Sequence, residues 1–161
     1  MIVVTDTSVV LNLCCLGLEG MLPKIFGEVL APPSVAGEFR RLAEVDRRFT
    51  GLEFPPFIRV VAPAKLVQKL AGNQKLHAGE IEALSLAAEE KVDAVLMDES
   101  AGRAAAVGLG LHCIGILGIL IQAKNTGLLI AVGPLLDELE AKAGFWMASS
   151  LKQRILKIAK E

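Results

Sequence analysis

Four short stretches of this chain, MIVVT at residues 1–5, Val29 to Ala31, Ala94 to Met97 and LHCIGI at 111–116, are apolar without the in-and-out alternation of a half-wetted strand. Strands of that kind are buried on both faces, and they lie parallel because crossover helices cover the sheet. FIRVVAP, closed by Pro63, is a further strand candidate. Between these runs the period changes to that of helices. Residues 8–16 read as a helix directly behind the first strand. Pro32 and Pro33 precede a helix from Ser34 to about Val45, since a first helical turn needs no amide donor there. From His77 to Lys91, Ile81, Leu84 and Ala88 recur at helical spacing, with Glu82, Ser85 and Glu89 on the other face. SAGRAAAVGLG is a helix stopped by glycine, and the segment after Gly115 returns to helix. Pro134 opens another helix that Gly144 closes, and Leu151, Ile155 and Ile158 stripe a last one. The expectation is an α/β fold around a largely parallel sheet.

A chain of 161 residues has the size of one domain. It is 53% hydrophobic and 22% charged, with a mean hydropathy of +0.51, which excludes disorder and favours an apolar contact with a partner. The net charge of −1 provides no global field for nucleic acid, so any such contact is local. Residues 104–123 carry no charge and match a bilayer in length, but four glycines and His112 interrupt them, and helix, strand, helix is the reading. Cys14, Cys15 and Cys113 match no zinc spacing and are expected to be reduced core thiols. MIVVTD has no basic leader, which points to the cytoplasm. Neither a dinucleotide-binding glycine pattern nor a phosphate loop is present.

In parallel sheets, ligands bind beyond the carboxyl ends of the strands. Asp6 and Asp98 both stand there. Glu80, in the first turn of its helix, has apolar neighbours Leu84 and Ala87 and tilts toward the sheet, whereas Glu82 points away. Glu38, between Val35 and Phe39, reaches the same crevice. Gathered like charges raise one another's pKa unless a cation neutralises them, and Mg2+ or Mn2+ prefers such oxygen donors. The alternative for each acid is humbler: Asp6 and Asp98 as helix caps, Glu80 as a partner of a helix dipole, Glu38 as a solvated side chain. Arg103 is a candidate for a group near the metal or a phosphate, or else a partner of Glu99 four residues earlier. Arg40, Arg41, Arg47 and Arg48 form one basic group and Lys152, Arg154, Lys157 and Lys160 another, read mainly as solvated faces. With 4% aromatics and no tyrosine, a base-stacking platform is not expected.

Taken together, VVTDTSVVL, HAGEIEALSLA, VLMDESAGRAAAVGLGL and GPLLDELEAKAGFWMASSL resemble the PIN-domain superfamily, and within it a small prokaryotic branch related to the toxin nucleases of toxin–antitoxin pairs. The resemblance covers nearly the whole length. It implies one domain over 1–161, a three-layer α/β/α sandwich with the helices from about 134 to 160 packed on the core, and Mg2+- or Mn2+-dependent cleavage of RNA. Asp6 matches the first acid, Glu38 the second, Glu80 the third and Asp98 the fourth, with Asp6, Glu80 and Asp98 as metal ligands. Thr7 or Ser8 matches a hydroxyl that orients the metal or its water. Leu96 stands where active relatives carry a hydroxyl, which leaves Asp98 and Glu99 both available as the last acid. The resemblance also implies a small antitoxin protein as partner and a homodimer. The other reading is a non-catalytic interaction protein that has lost its metal.

Overall fold

The computed structural model describes residues 1–161. In chain order run β1 (Ile2–Thr5), α1 (Thr7–Cys15), α2 (Met21–Phe26), β2 (Glu28–Ala31), α3 (Pro33–Val45), β3 (Arg59–Val60), α4 (Gln68–Ala71), α5 (Ala78–Glu90), β4 (Ala94–Leu96), α6 (Ser100–Gly108), β5 (Cys113–Ile114), α7 (Ile116–Asn125), α8 (Gly133–Glu138) and α9 (Ser149–Ile158). A 3-10 turn at Arg47–Phe49 follows α3, and a π-helical stretch at Leu139–Ala143 continues α8. The strands form one sheet in the order β3-β2-β1-β4-β5, with every neighbouring pair parallel.

The apolar runs explain the layering. In a strand, successive side chains point to opposite faces, so a strand apolar at every position faces a core on each side. Val3 of β1 packs in one core with Val29, Leu96, and residues of α1, α3 and α7 such as Leu13, Phe39 and Leu120. Its neighbour Val4 packs in a second core with Leu30, Val95, and Leu84 and Ala106 from α5 and α6. The chain is therefore an α/β/α sandwich. Leu136 and Leu139, with Ile155 and Ala159 of the terminal helix, lie in the first core. No helix is long and apolar enough to cross a membrane; residues 104–123 fall on α6, β5 and α7.

Some expectations are corrected. The segment after Phe57 pairs through Arg59 and Val60 alone, and both are exposed, as befits a sheet edge. The face opposite the apolar stripe of α5 is mixed: Ser85 is buried and accepts from the Val67 amide at 3.0 Å, while the exposed Glu89 accepts from the Ala64 amide at 2.9 Å. Glu82 does turn from the crevice, but toward the start of α3, where it lies 3.4 Å from the Ser34 amide. All three thiols are free, yet only Cys14 is a core residue. Its burial pushes the thiol pKa up to about 12, which leaves it inert.

Candidate active site

The strand order changes direction at β1, with β2 on one side and β4 on the other, and the crevice at that switch point is where parallel sheets bind ligands. Thr5 pairs with Leu96, and the Asp6 amide donates to the Leu96 carbonyl at 3.0 Å, so β1 and β4 end side by side. Asp6 and Asp98 leave the sheet at that shared rim.

Each of three acids uses one oxygen to hold a helix N-terminus. The orphan amides there are natural partners for a carboxylate. Asp6 Oδ1 accepts from the Val9 amide at 3.0 Å and caps α1. Glu80 Oε1 accepts from the His77 amide at 3.0 Å, one half of a capping box on α5. Asp98 Oδ1 accepts from the Ile116 amide at 3.0 Å. Asp98 thus ties the end of β4 to α7 rather than to its own following helix, whose cap position is held by Glu99 without a side-chain bond.

The second oxygens are treated differently. Glu80 Oε2 and Asp98 Oδ2 are buried and have no hydrogen-bond partner. Asp6 Oδ2 has only the Ser8 hydroxyl, at 3.3 Å. Unpartnered carboxylate oxygens out of water are costly, and a cation is the partner that answers several at once. Burial is also the main cause that raises the Asp6 carboxyl pKa to about 8, with the charges of Asp98 and Glu80 adding to it. Asp98 is pushed up to about 6, again chiefly by burial, with Arg103 pulling it back.

Above these acids lies a pocket of 140 Å³ with no apolar lining residue, bounded by Asp6, Thr7, Ser8, Glu38, His77, Gly79, Glu80 and Glu99. Glu38 reaches it as expected, its Oε2 accepting from the Thr7 hydroxyl at 3.3 Å. Asp98 is not among the pocket's lining residues and lines the neighbouring groove, and Glu99 lines both. His77 was not singled out by its sequence position; its place at the head of α5, three residues before Glu80, is the signal that marks it.

Two glycines make the arrangement possible. A Cβ on Gly102 would strike Met97 Sδ and come within 2.7 Å of Glu80 Oε2. One on Gly115 would strike Asp98 Oδ1 and come within 2.8 Å of Arg103 Nη1. Arg103 itself does not pair with Glu99; its Nη1 donates to the Met97 carbonyl at 3.2 Å, and no carboxylate lies within 4.0 Å of the guanidinium. Of the other basic residues singled out, three are spent on structure. Arg48 is bound to Asp46 at 2.7 Å and to the Ala143 carbonyl at 3.0 Å, Arg40 lies over the Phe54 ring, and Lys152 pairs with Asp137 at 2.5 Å.

The carboxylates fit a hard divalent ion, with two of their oxygens buried without a partner; His77 is the one nitrogen donor on the pocket wall. In this conformation no three Asp, Glu, His or Cys side chains close on one point as a ready cage. That suits an ion which keeps several waters and takes one or two carboxylates directly, as Mg2+ does.

No curated protein and no solved structure matches the chain. A family profile described as a PIN domain matches residues 2–161, from the first residue of β1 to the last residue of the chain. With the parallel sheet and the acids at its switch point, that match leads to one conclusion: the chain belongs to the PIN domain family.

Proposed function

We propose that this protein is a Mg2+- or Mn2+-dependent ribonuclease that hydrolyses phosphodiester bonds at the Asp6–Glu80–Asp98 rim. PIN domains are nuclease-type folds that typically use divalent metals, and the whole span of 1–161 serves as one catalytic unit in this reading. The observation that carries it is the pair of buried carboxylate oxygens without a partner, Glu80 Oε2 and Asp98 Oδ2, next to an Asp6 whose carboxyl is pushed up to about 8.

The capping bonds fix one oxygen of each acid, which leaves the second oxygens of Asp6, Glu80 and Asp98 as the atoms that would hold an ion. A bound Mg2+ or Mn2+ supplies charge neutralisation, polarisation of a phosphoryl oxygen and a more acidic water. The Ser8 hydroxyl restrains Asp6, and Glu38, steadied by Thr7, is placed to accept a hydrogen bond from the attacking water. Glu99 closes the opposite wall of the pocket. Arg103, free of ion pairs, is placed for the scissile phosphate. In the reaction an O–P bond forms to water, the P–O bond to the leaving ribose oxygen breaks, and a proton passes from the one oxygen to the other.

An antitoxin protein and a homodimer belong to the same reading and are supported by the family resemblance. Manganese titration by calorimetry is the test. Wild-type protein should bind manganese and cleave single-stranded RNA, and Asp6→Asn should lose both. Wild-type protein indifferent to manganese would leave the non-catalytic interaction protein as the better account.

A further inference from the structure

The largest concavity of the molecule lies beside the acids rather than over them. It is a groove of 980 Å³ that starts at Asp98, Glu99 and Arg103 and runs along Leu117 and Ile121 to Trp146. Trp146 is the only tryptophan of the chain and is 83% exposed, unusual for the largest apolar side chain a protein has. Its backbone is held on the N-terminal side. Gly144 turns the chain in the left-handed region at φ +66°, and the Phe145 amide donates to the Leu139 carbonyl at 3.0 Å. Phe145 packs against the first core and Met147 lies within it, so the extended segment points its two flanking side chains inward and the indole outward. The indole is thus displayed from a fixed support.

We propose that Trp146 is a stacking platform for one unpaired nucleobase of a single-stranded RNA, seated in this groove with its phosphate at Arg103. The proposal rests on the nuclease reading for the identity of the strand, and it revises the expectation that this chain has no stacking platform. Three observations combine. The groove meets the acid pocket at Glu99, which lines both, so a strand bound at the acids can extend into it. Arg103 is a guanidinium in that groove without an ion pair, and a fork of N–H donors of this kind suits a phosphate. An exposed indole on a rigid support, flanked by apolar Leu117 and Ile121, suits the flat face of a base and not a second phosphate. Duplex RNA is excluded by the same chemistry, because its bases are stacked on one another and offer no free face.

The chain has no tyrosine, so fluorescence excited above the phenylalanine band comes from Trp146 alone. Emission would be followed while single-stranded oligouridine is added, once to the wild type in chelator and once to Asp6→Asn protein in magnesium. An abasic ribose-phosphate strand of equal length and the matching duplex serve as controls. Oligouridine should quench the emission, and neither control should. Trp146→Ala should weaken oligouridine binding by at least roughly fivefold, Trp146→Phe should retain most of it, and manganese binding by calorimetry should be unchanged in both. Equal quenching by the abasic strand or the duplex, no quenching by oligouridine in either condition, or undiminished binding by Trp146→Ala would each overturn the proposal. So would sedimentation showing that Trp146→Ala breaks a dimer while oligouridine binding persists, which would make the groove a contact between copies. Manganese indifference with intact quenching would sink the nuclease reading and leave this site standing.

Discussion

Asp6 stands where capping and ligation compete, and its surroundings favour neither charge nor solvent. At 3% exposure and with Asp98 and Glu80 nearby, its carboxyl is raised from 3.8 to about 8. The raised value means that the native state keeps a proton which the unfolded chain has already released. Metal-free protein should therefore lose stability as pH rises from about 4 to about 8, with Asp98 adding to the loss in the lower part of that window. Asp6→Asn keeps an oxygen for the Val9 amide and removes the charge. Its melting temperature in chelator should exceed that of the wild type by several degrees at pH 8 and match it near pH 4. A lower melting temperature at pH 8 would contradict the burial account. Saturating manganese should reverse the order at pH 8, because an ion that binds only the native wild type stabilises it by mass action. Of the two readings weighed for this residue in the sequence, the structure shows the cap, through one oxygen; the proposed ligation would use the other, which has only the Ser8 hydroxyl.

At the scale of elements, the close approach of α6 to α5 depends on Gly102. An alanine within a helix is ordinarily the better residue by roughly 0.5–1 kcal/mol. Here the added methyl meets Met97 and the Glu80 carboxylate, so the clash decides the sign. Gly102→Ala should lower manganese affinity by about 10- to 100-fold, the usual cost of disturbing groups that orient a ligand, measured by calorimetry on protein that remains folded by circular dichroism. Gly108→Ala, which meets nothing within 4 Å, is the control and should bind as the wild type does. The sequence displayed the elements unevenly. Strands β1, β2 and β4 were legible from their unbroken apolar runs, Ile2–Val4, Val29–Ala31 and Ala94–Leu96, and the inward tilt of Glu80, which is buried, was legible because Leu84 and Ala87 fix the face it shares. Helix α2 escaped notice: it is six residues long, starts at Gly20 without a side-chain cap and contains Pro23, so no local signal announces it. The burial of Ser85 on α5 was not legible because its partner, the Val67 amide, lies on a loop remote in sequence. Trp146 was illegible for the same kind of reason, since only the packing of its two neighbours tells that the indole faces out.

For the molecule as a whole, the end of the chain is a fastening. Glu161 accepts from Lys124 at 2.8 Å and from the Val132 and Gly133 amides at 2.7 and 2.9 Å, joining α7, the start of α8 and the segment that follows α9. Those bonds, the Lys124 ammonium foremost, hold its carboxyl down at about 2 against an ordinary 4.5. The stabilisation is complete above 4.5 and disappears as pH falls through 2. Glu161→Gln should therefore melt below the wild type at pH 7, the difference closing toward pH 2, with faster amide exchange in 128–133 and 155–161. An equal difference at both pH values would show that the ion pair is not its source.

The sheet, finally, ends at both margins in strands of two residues, Arg59–Val60 and Cys113–Ile114. An unpaired margin is where a foreign strand can dock and where fibrils begin, and the length of exposed main chain sets how firmly it holds. Margins this brief leave almost no ladder to extend. A chain this rich in aliphatic side chains thereby offers little template for β-mediated clumping.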